Sequence, residues 1–202
     1  AISLGVDAVV LTGDVVDQDN RFYEALPDLQ DGVQRLIAKG IKVVAVSGNH
    51  DHDVLPRLVE QIEGFRLLGP RGSWGEVMLE SQDGTTVRFL GWSFPSRHVM
   101  DDPLTTFQFT SDGTPTIGLL HCDCPAPASN YAPVALPRLQ ACGVDAWVLG
   151  HIHAGGALGD DGPPIFYTGS LQGLDPSEIG PHGAWLVTVG PGKPIEREPI
   201  PL

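Results

Sequence analysis

The chain opens with a β-α-β pattern, which admits few folds. Asp7–Thr12 and Ile41–Val46 are short runs rich in Val, the length of buried strands and too short for helices. Between them apolar residues recur at Phe22, Leu26, Leu29, Val33, Leu36 and Ile37, the spacing of one helix face. Pro27 either starts or kinks that helix, and Gly40 ends it. A strand, a helix and a strand in this order place the two strands parallel and side by side.

The pattern continues. Val54–Ile62 reads as a short helix, and Glu76–Glu80 and Thr85–Leu90 flank Asp83-Gly84, a hairpin signal. Residues 91–113 are polar and irregular, with a weak helical hint near Thr105. Thr116–His121 and Asp145–Leu149 are further buried strands, separated by a Pro-rich loop (Pro125, Pro127, Pro133) and a helix around Ala135–Ala141. Pro164–Thr168, Ala184–Val189 and Ile195–Pro199 form a β-rich end, the last with the Pro spacing of an edge strand. Ala1–Leu4 reads as the tail of a helix, with the expectation that chain has been cut away upstream.

Composition narrows the function. At 202 residues the chain is long enough for one well-cored domain. Twelve basic against 25 acidic residues give a net charge of −13, a surface that repels a polyphosphate backbone and argues against nucleic-acid binding by this piece alone. Bound divalent cations would reverse that sign locally. No apolar run reaches membrane-spanning length. Cys122, Cys124 and Cys142 are an odd count with no paired-Cys zinc spacing. They read as packing residues in a reducing compartment, and cytoplasmic location is the expectation.

Four segments share one design, a strand followed by metal-binding side chains. They are Gly13-Asp14-Val15-Val16-Asp17, Gly48-Asn49-His50-Asp51, His121 after Ile117–Leu120, and Gly150-His151-Ile152-His153. The carboxyl edge of an open α/β sheet is where ligands bind, so residues distant in sequence gather along one rim. Carboxylate, imidazole and amide oxygen together suit manganese, iron or zinc. Gly-Asp alone is ordinary turn chemistry, and any one of these His alone reads as a satisfied residue. Two imidazoles in Gly-His-x-His make a ready chelate, and all four motifs in order point to a metal site.

In order and spacing these motifs resemble the calcineurin-like metallophosphoesterases, over almost the whole chain. The resemblance implies an α/β sandwich of two mixed β-sheets flanked by helices, as a single phosphoesterase domain over residues 1–202. It implies two divalent metal ions, manganese first, with iron or zinc as alternatives. By similarity Asp14 bridges the ions, Asn49, His121 and His151 complete one shell, and His153 belongs to the other. His50 contacts the scissile phosphate and Asp17 orients it. The family's leading Asp-x-His does not occur before Asp14. The expectation is therefore an N-terminally truncated domain lacking the first strand and helix, with unequal metal occupancy and impaired activity.

Gly169-Ser170-Leu171-Gln172-Gly173, Asp175-Pro176-Ser177-Glu178, Gly180-Pro181 and Leu119-Leu120-His121-Cys122-Asp123 are similar to the double-strand-break repair exonuclease branch of that family. This implies a DNA substrate for the full-length protein, a coiled-coil ATPase partner, and a DNA-facing domain beyond this chain. The alternatives are a phosphodiesterase for nucleotides or small diesters, and a non-catalytic, partner-binding fragment. Asp17 otherwise reads as a solvated loop carboxylate, and His52, His98, His182 and Arg97 read as surface or supporting residues. Trp74, Trp92, Trp147 and Trp185 read as core.

Overall fold

The computed structural model describes residues 1–17, 22–126 and 128–201; Pro127 and the side chain of Phe22, both used in the sequence reading, lie outside the described set. In chain order the elements are β1 Ala8–Thr12, α1 Phe22–Ile37, β2 Lys42–Val46, α2 Leu55–Gln61, β3 Phe65–Leu67, β4 Trp74–Glu80 and β5 Thr86–Trp92. There follow β6 Thr116–His121, α3 Leu136–Ala141, β7 Ala146–Gly150, β8 Gly156–Ala157, β9 Ile165–Tyr167, β10 Gly183–Thr188 and β11 Glu196–Pro201.

Strands β1-β2-β3 form a parallel sheet, and β4-β5-β6-β7-β9-β8 form a second, mixed sheet with antiparallel partners at both edges. The expected sandwich is therefore present. In β2, Val43 and Ala45 face one way, into a cluster with Val33, Leu55, Ile62 and Phe65 under the helices. Val44 and Val46 face the other way, meeting Ile117, Leu119, Val148 and Phe166 of the second sheet. This alternation is the period of a strand buried on both faces. The far face of the second sheet packs Leu120, Trp147 and Leu149 against Leu139 of α3 and Phe94, Leu104 and Val134 of the loops. The layers thus run helix, sheet, sheet, helix.

The Trp residues serve packing. Trp147 is fully buried and its indole N–H donates to the Leu139 carbonyl. Trp185, on the β10-β11 hairpin, lies 5.2 Å from the Phe166 ring. The sequence reading and the structure differ at small elements. The weak hint near Thr105 is a 3-10 turn, Pro103–Thr105, capped by the Asp102 carboxylate on the Leu104 N–H at 2.7 Å. Ile2–Leu4 is likewise a 3-10 turn. Pro27 lies inside α1. Strands β3 and β8, of three and two residues, carried no periodic signal. The cysteines are free, with Cys122 and Cys124 buried in the core. Among the described residues no helix is long and apolar enough to cross a membrane.

Candidate metal centre

Parallel pairing aligns the strand ends. Thr12 of β1 sits opposite Val46 of β2, and His121 of β6 opposite Gly150 of β7. Side chains at the end of β6 and just past the ends of β1 and β7 meet at the seam between the two sheets. Asp14, His121 and His151 converge there, with one ligand atom from each lying within 4.8 Å of the others.

His121 is the centre of the group and is buried. Its Nδ1 lies 2.9 Å from the Thr12 carbonyl oxygen, which can only accept, so Nδ1 carries the proton. Nε2 then faces two oxygens, Asn49 Oδ1 at 3.0 Å and Asp14 Oδ2 at 3.2 Å. Either a proton on Nε2 or a cation shared by all three must sit among them. Ligands about 2.1 Å from one ion and at right angles lie about 3 Å apart, so these separations fit the edges of one coordination shell. A carboxylate, an amide oxygen and imidazoles are the donor set for a divalent transition metal.

The backbone is bent to make this possible. Asp14 and His151 both have positive φ, 53° and 103°, a conformation non-glycine residues adopt at a cost of about 1–3 kcal/mol. Close approach requires glycine at two positions. A Cβ on Gly48 would stand 2.3 Å from Asp14 Oδ1, and one on Gly150 would stand 1.9 Å from the Thr12 carbonyl oxygen.

Electrostatics follow from the crowding. Burial pushes the Asp14 carboxyl up, but His121, by hydrogen bond and charge, with the His50 N–H, more than reverses this and holds it below its ordinary value. Burial and then the nearby His121 depress His151 to about 4, which keeps its ring neutral and able to ligate. Burial, and then the charge of Asp14, raise Asp51 to about 6.

The sequence-predicted residues fall into three groups. Asp14, Asn49, His121 and His151 meet as described. His50 and Asp17 stand at the rim, half-exposed, with His50 Nδ1 4.0 Å from Asp17 Oδ1; the His50 N–H donates to Asp14 Oδ1 at 2.8 Å. His153 is outside the convergent cluster, and its Nδ1 lies 2.5 Å from Glu178 Oε1. The remaining histidines have supporting contacts: His52 Nδ1 lies 3.3 Å from the Asn49 carbonyl oxygen, and the His98 ring lies 5.6 Å from Tyr131.

Sequence reasoning assigned no role to Asp51, Tyr131 or Glu178. Asp51 is buried, and its two oxygens accept the N–H groups of Gly48 and Val15, each at 2.7 Å. Its place in Gly48-Asn49-His50-Asp51 was a signal that could have found it. The Tyr131 ring lies 5.0 Å from His151, brought there by a parallel bridge between Val99 and Tyr131; no motif marks it.

The calcineurin-like phosphoesterase family profile matches residues 1–155. The uncharacterized metallophosphoesterase YhaO of Bacillus subtilis (strain 168) is 29% identical over 198 residues, covering 95% of this chain. The chain spans 48% of that relative's length. A crystal structure of a dimetal phosphatase from Danio rerio aligns at 16% identity with a TM-score of 0.49, over 83% of this chain and 74% of that one.

Proposed function

The chain belongs to the calcineurin-like phosphoesterase family, and from that premise we propose that it is the metal-dependent catalytic part of a phosphodiester hydrolase whose substrate is DNA. The observation that carries the metal-dependent chemistry is the facing of His121 Nε2 by the oxygens of Asn49 and Asp14 at 3.0 and 3.2 Å. Asp14, Asn49, His121 and His151 would hold one ion, and Asp14 and His153 would contribute to a second. Bound there, two divalent cations supply neutralisation of the phosphate charge and a water acidic enough to attack phosphorus at neutral pH.

The chain's own residues do the rest. The His50 ring stands at the rim, where it can donate to a phosphate or leaving-group oxygen, and Asp17 lies within reach of its Nδ1. His151 presents a neutral ring. The seam between the sheets excludes water from the buried side of the cluster, because His121 and Asn49 are almost fully enclosed.

The DNA reading is supported by the Gly169–Gly173 and Asp175–Glu178 segments, and it carries with it a coiled-coil ATPase partner. The net charge of −13 favours a second reading, a small phosphodiester substrate. Purified protein with Mn2+ is tested on bis(p-nitrophenyl) phosphate, p-nitrophenyl phosphate and end-labelled duplex DNA. EDTA-sensitive cleavage of the diester and release of nucleotides from DNA ends are expected. Cleavage of the small diester with untouched DNA establishes the second reading, and no metal-dependent cleavage of any substrate sinks both.

A further inference from the structure

Beyond the rim, the chain folds back on His153 from an unexpected direction. The segment after β9 returns to place Glu178 against the His153 ring, with Nδ1 and Oε1 2.5 Å apart. The carboxylate is itself held, its Oε2 accepting the Leu174 N–H at 3.0 Å. The Glu178 N–H donates to the Asp175 carbonyl at 2.9 Å, and the Ser170 N–H donates to the His153 carbonyl at 3.0 Å. His182 spans the two ends of the segment, its ring nitrogens 3.3 Å from the Ser170 oxygen and 3.1 Å from the Glu178 oxygen. Glu178 is the more enclosed partner, at 18% side-chain exposure against 51% for His153.

We propose that Glu178 is a positioning residue for His153 as a metal ligand. A carboxylate on Nδ1 fixes the proton there, leaves the Nε2 lone pair free, and prevents the ring from turning. His153 is half-exposed and lies outside the buried cluster, and among the described residues Glu178 is the side chain that holds its ring by a hydrogen bond. The inference rests on the reading of His153 as a ligand.

The test follows the imidazole nitrogens of the 202-residue chain by two-bond proton–nitrogen correlation NMR during titration with zinc chloride. In the wild type, His153 Nε2, His121 and His151 all shift as zinc is added. In Glu178→Gln, His153 requires at least about tenfold more zinc for half its shift, while His121 and His151 respond at the wild-type concentration. Asp175→Ala serves as the control for loop folding. It removes the acceptor of the Ser177 N–H and hydroxyl at 2.8 and 2.6 Å without touching His153, and it leaves the His153 response unchanged. An unchanged His153 response in Glu178→Gln overturns the proposal, as does an equal loss in Asp175→Ala, which makes the contact a matter of loop folding. A His153 ring that ignores zinc in the wild type overturns it for a different reason, because the ligand reading itself has then failed.

Discussion

Asp51 Oδ2 accepts the backbone N–H of Val15 at 2.7 Å, across 36 residues of sequence. Its other oxygen accepts the Gly48 N–H, so one buried carboxylate ties the turn that carries Asp14 to the turn that carries Asn49. The two turns follow adjacent parallel strands, and the strand ladder stops before either ligand. Asp51 continues the connection where the sheet ends.

Asp51→Ala therefore lowers metal affinity at the Asp14 cluster by about tenfold or more, in the range seen when groups that orient ligands are removed. Calorimetric titration with Mn2+ measures it. Affinity equal to wild type in a folded variant would show that the strands alone hold the two turns in place.

His50→Ala separates chemistry from binding. The contact from residue 50 to Asp14 is a backbone N–H, which alanine retains, so metal content stays at the wild-type level. The lost ring lowers kcat on a phosphodiester by about 10²–10⁴-fold, the range for a removed general acid. Paired metal analysis and steady-state kinetics check both halves.

Gly48→Ala acts in the opposite sense. The added methyl would lie 2.3 Å from Asp14 Oδ1 and 2.6 Å from His121 Cε1, so one ligand must leave its place. Loss of tight metal binding is expected in a protein whose far-ultraviolet circular dichroism remains that of the wild type.

Gly118→Ala tests packing away from the site. A Cβ there would stand 2.3 Å from the Trp147 ring, inside a core that cannot expand. A loss of about 1–3 kcal/mol is expected for overpacking of this kind, read as a lowered urea midpoint with unchanged slope.

Acid dependence is predicted at a surface pair. Arg88 grips Asp112 with two hydrogen bonds, at 3.1 and 2.7 Å, and this holds the Asp112 carboxyl well below its ordinary value. Because the folded pKa is depressed, the folded state binds fewer protons than the unfolded chain as pH falls below about 4. The pair's contribution is present above that pH and is lost progressively below it. Asp112→Asn accordingly melts slightly lower than wild type at neutral pH, and the gap in Tm narrows on acidification below about pH 4. A gap independent of pH would show that the ion pair contributes nothing.

Long buried strands and their terminal motifs were legible because the two signals reinforce each other. Thr116–His121 was read with the bounds the structure gives it, since a short apolar run closed by a His suits a buried strand that ends at a site. Val54–Ile62 came within a residue at each end of the observed Leu55–Gln61. What escaped was what depends on tertiary placement. Strands β3 and β8 are strands because a neighbour offers a ladder, with Phe65 opposite Val43 and Gly156 opposite Tyr167. Likewise Glu178 touches His153 only because the chain turns back over 25 residues, and Tyr131 meets His151 only through a loop bridge. No local periodicity encodes such contacts.

The convergent donors come from both halves of the sandwich: Asp14 and Asn49 follow β1 and β2, while His121 and His151 end β6 and follow β7. A cation held among them would therefore be a rivet through two plates that also adhere by the buried layer of Val44, Val46, Ile117, Leu119, Val148 and Phe166. At a concentration a hundredfold above its Kd it adds about 2.7 kcal/mol to the folded state, all of it applied at the joint. Withdrawing the ion should therefore loosen the turns at the mouth of the site first, while the buried layer beneath them keeps the two sheets together.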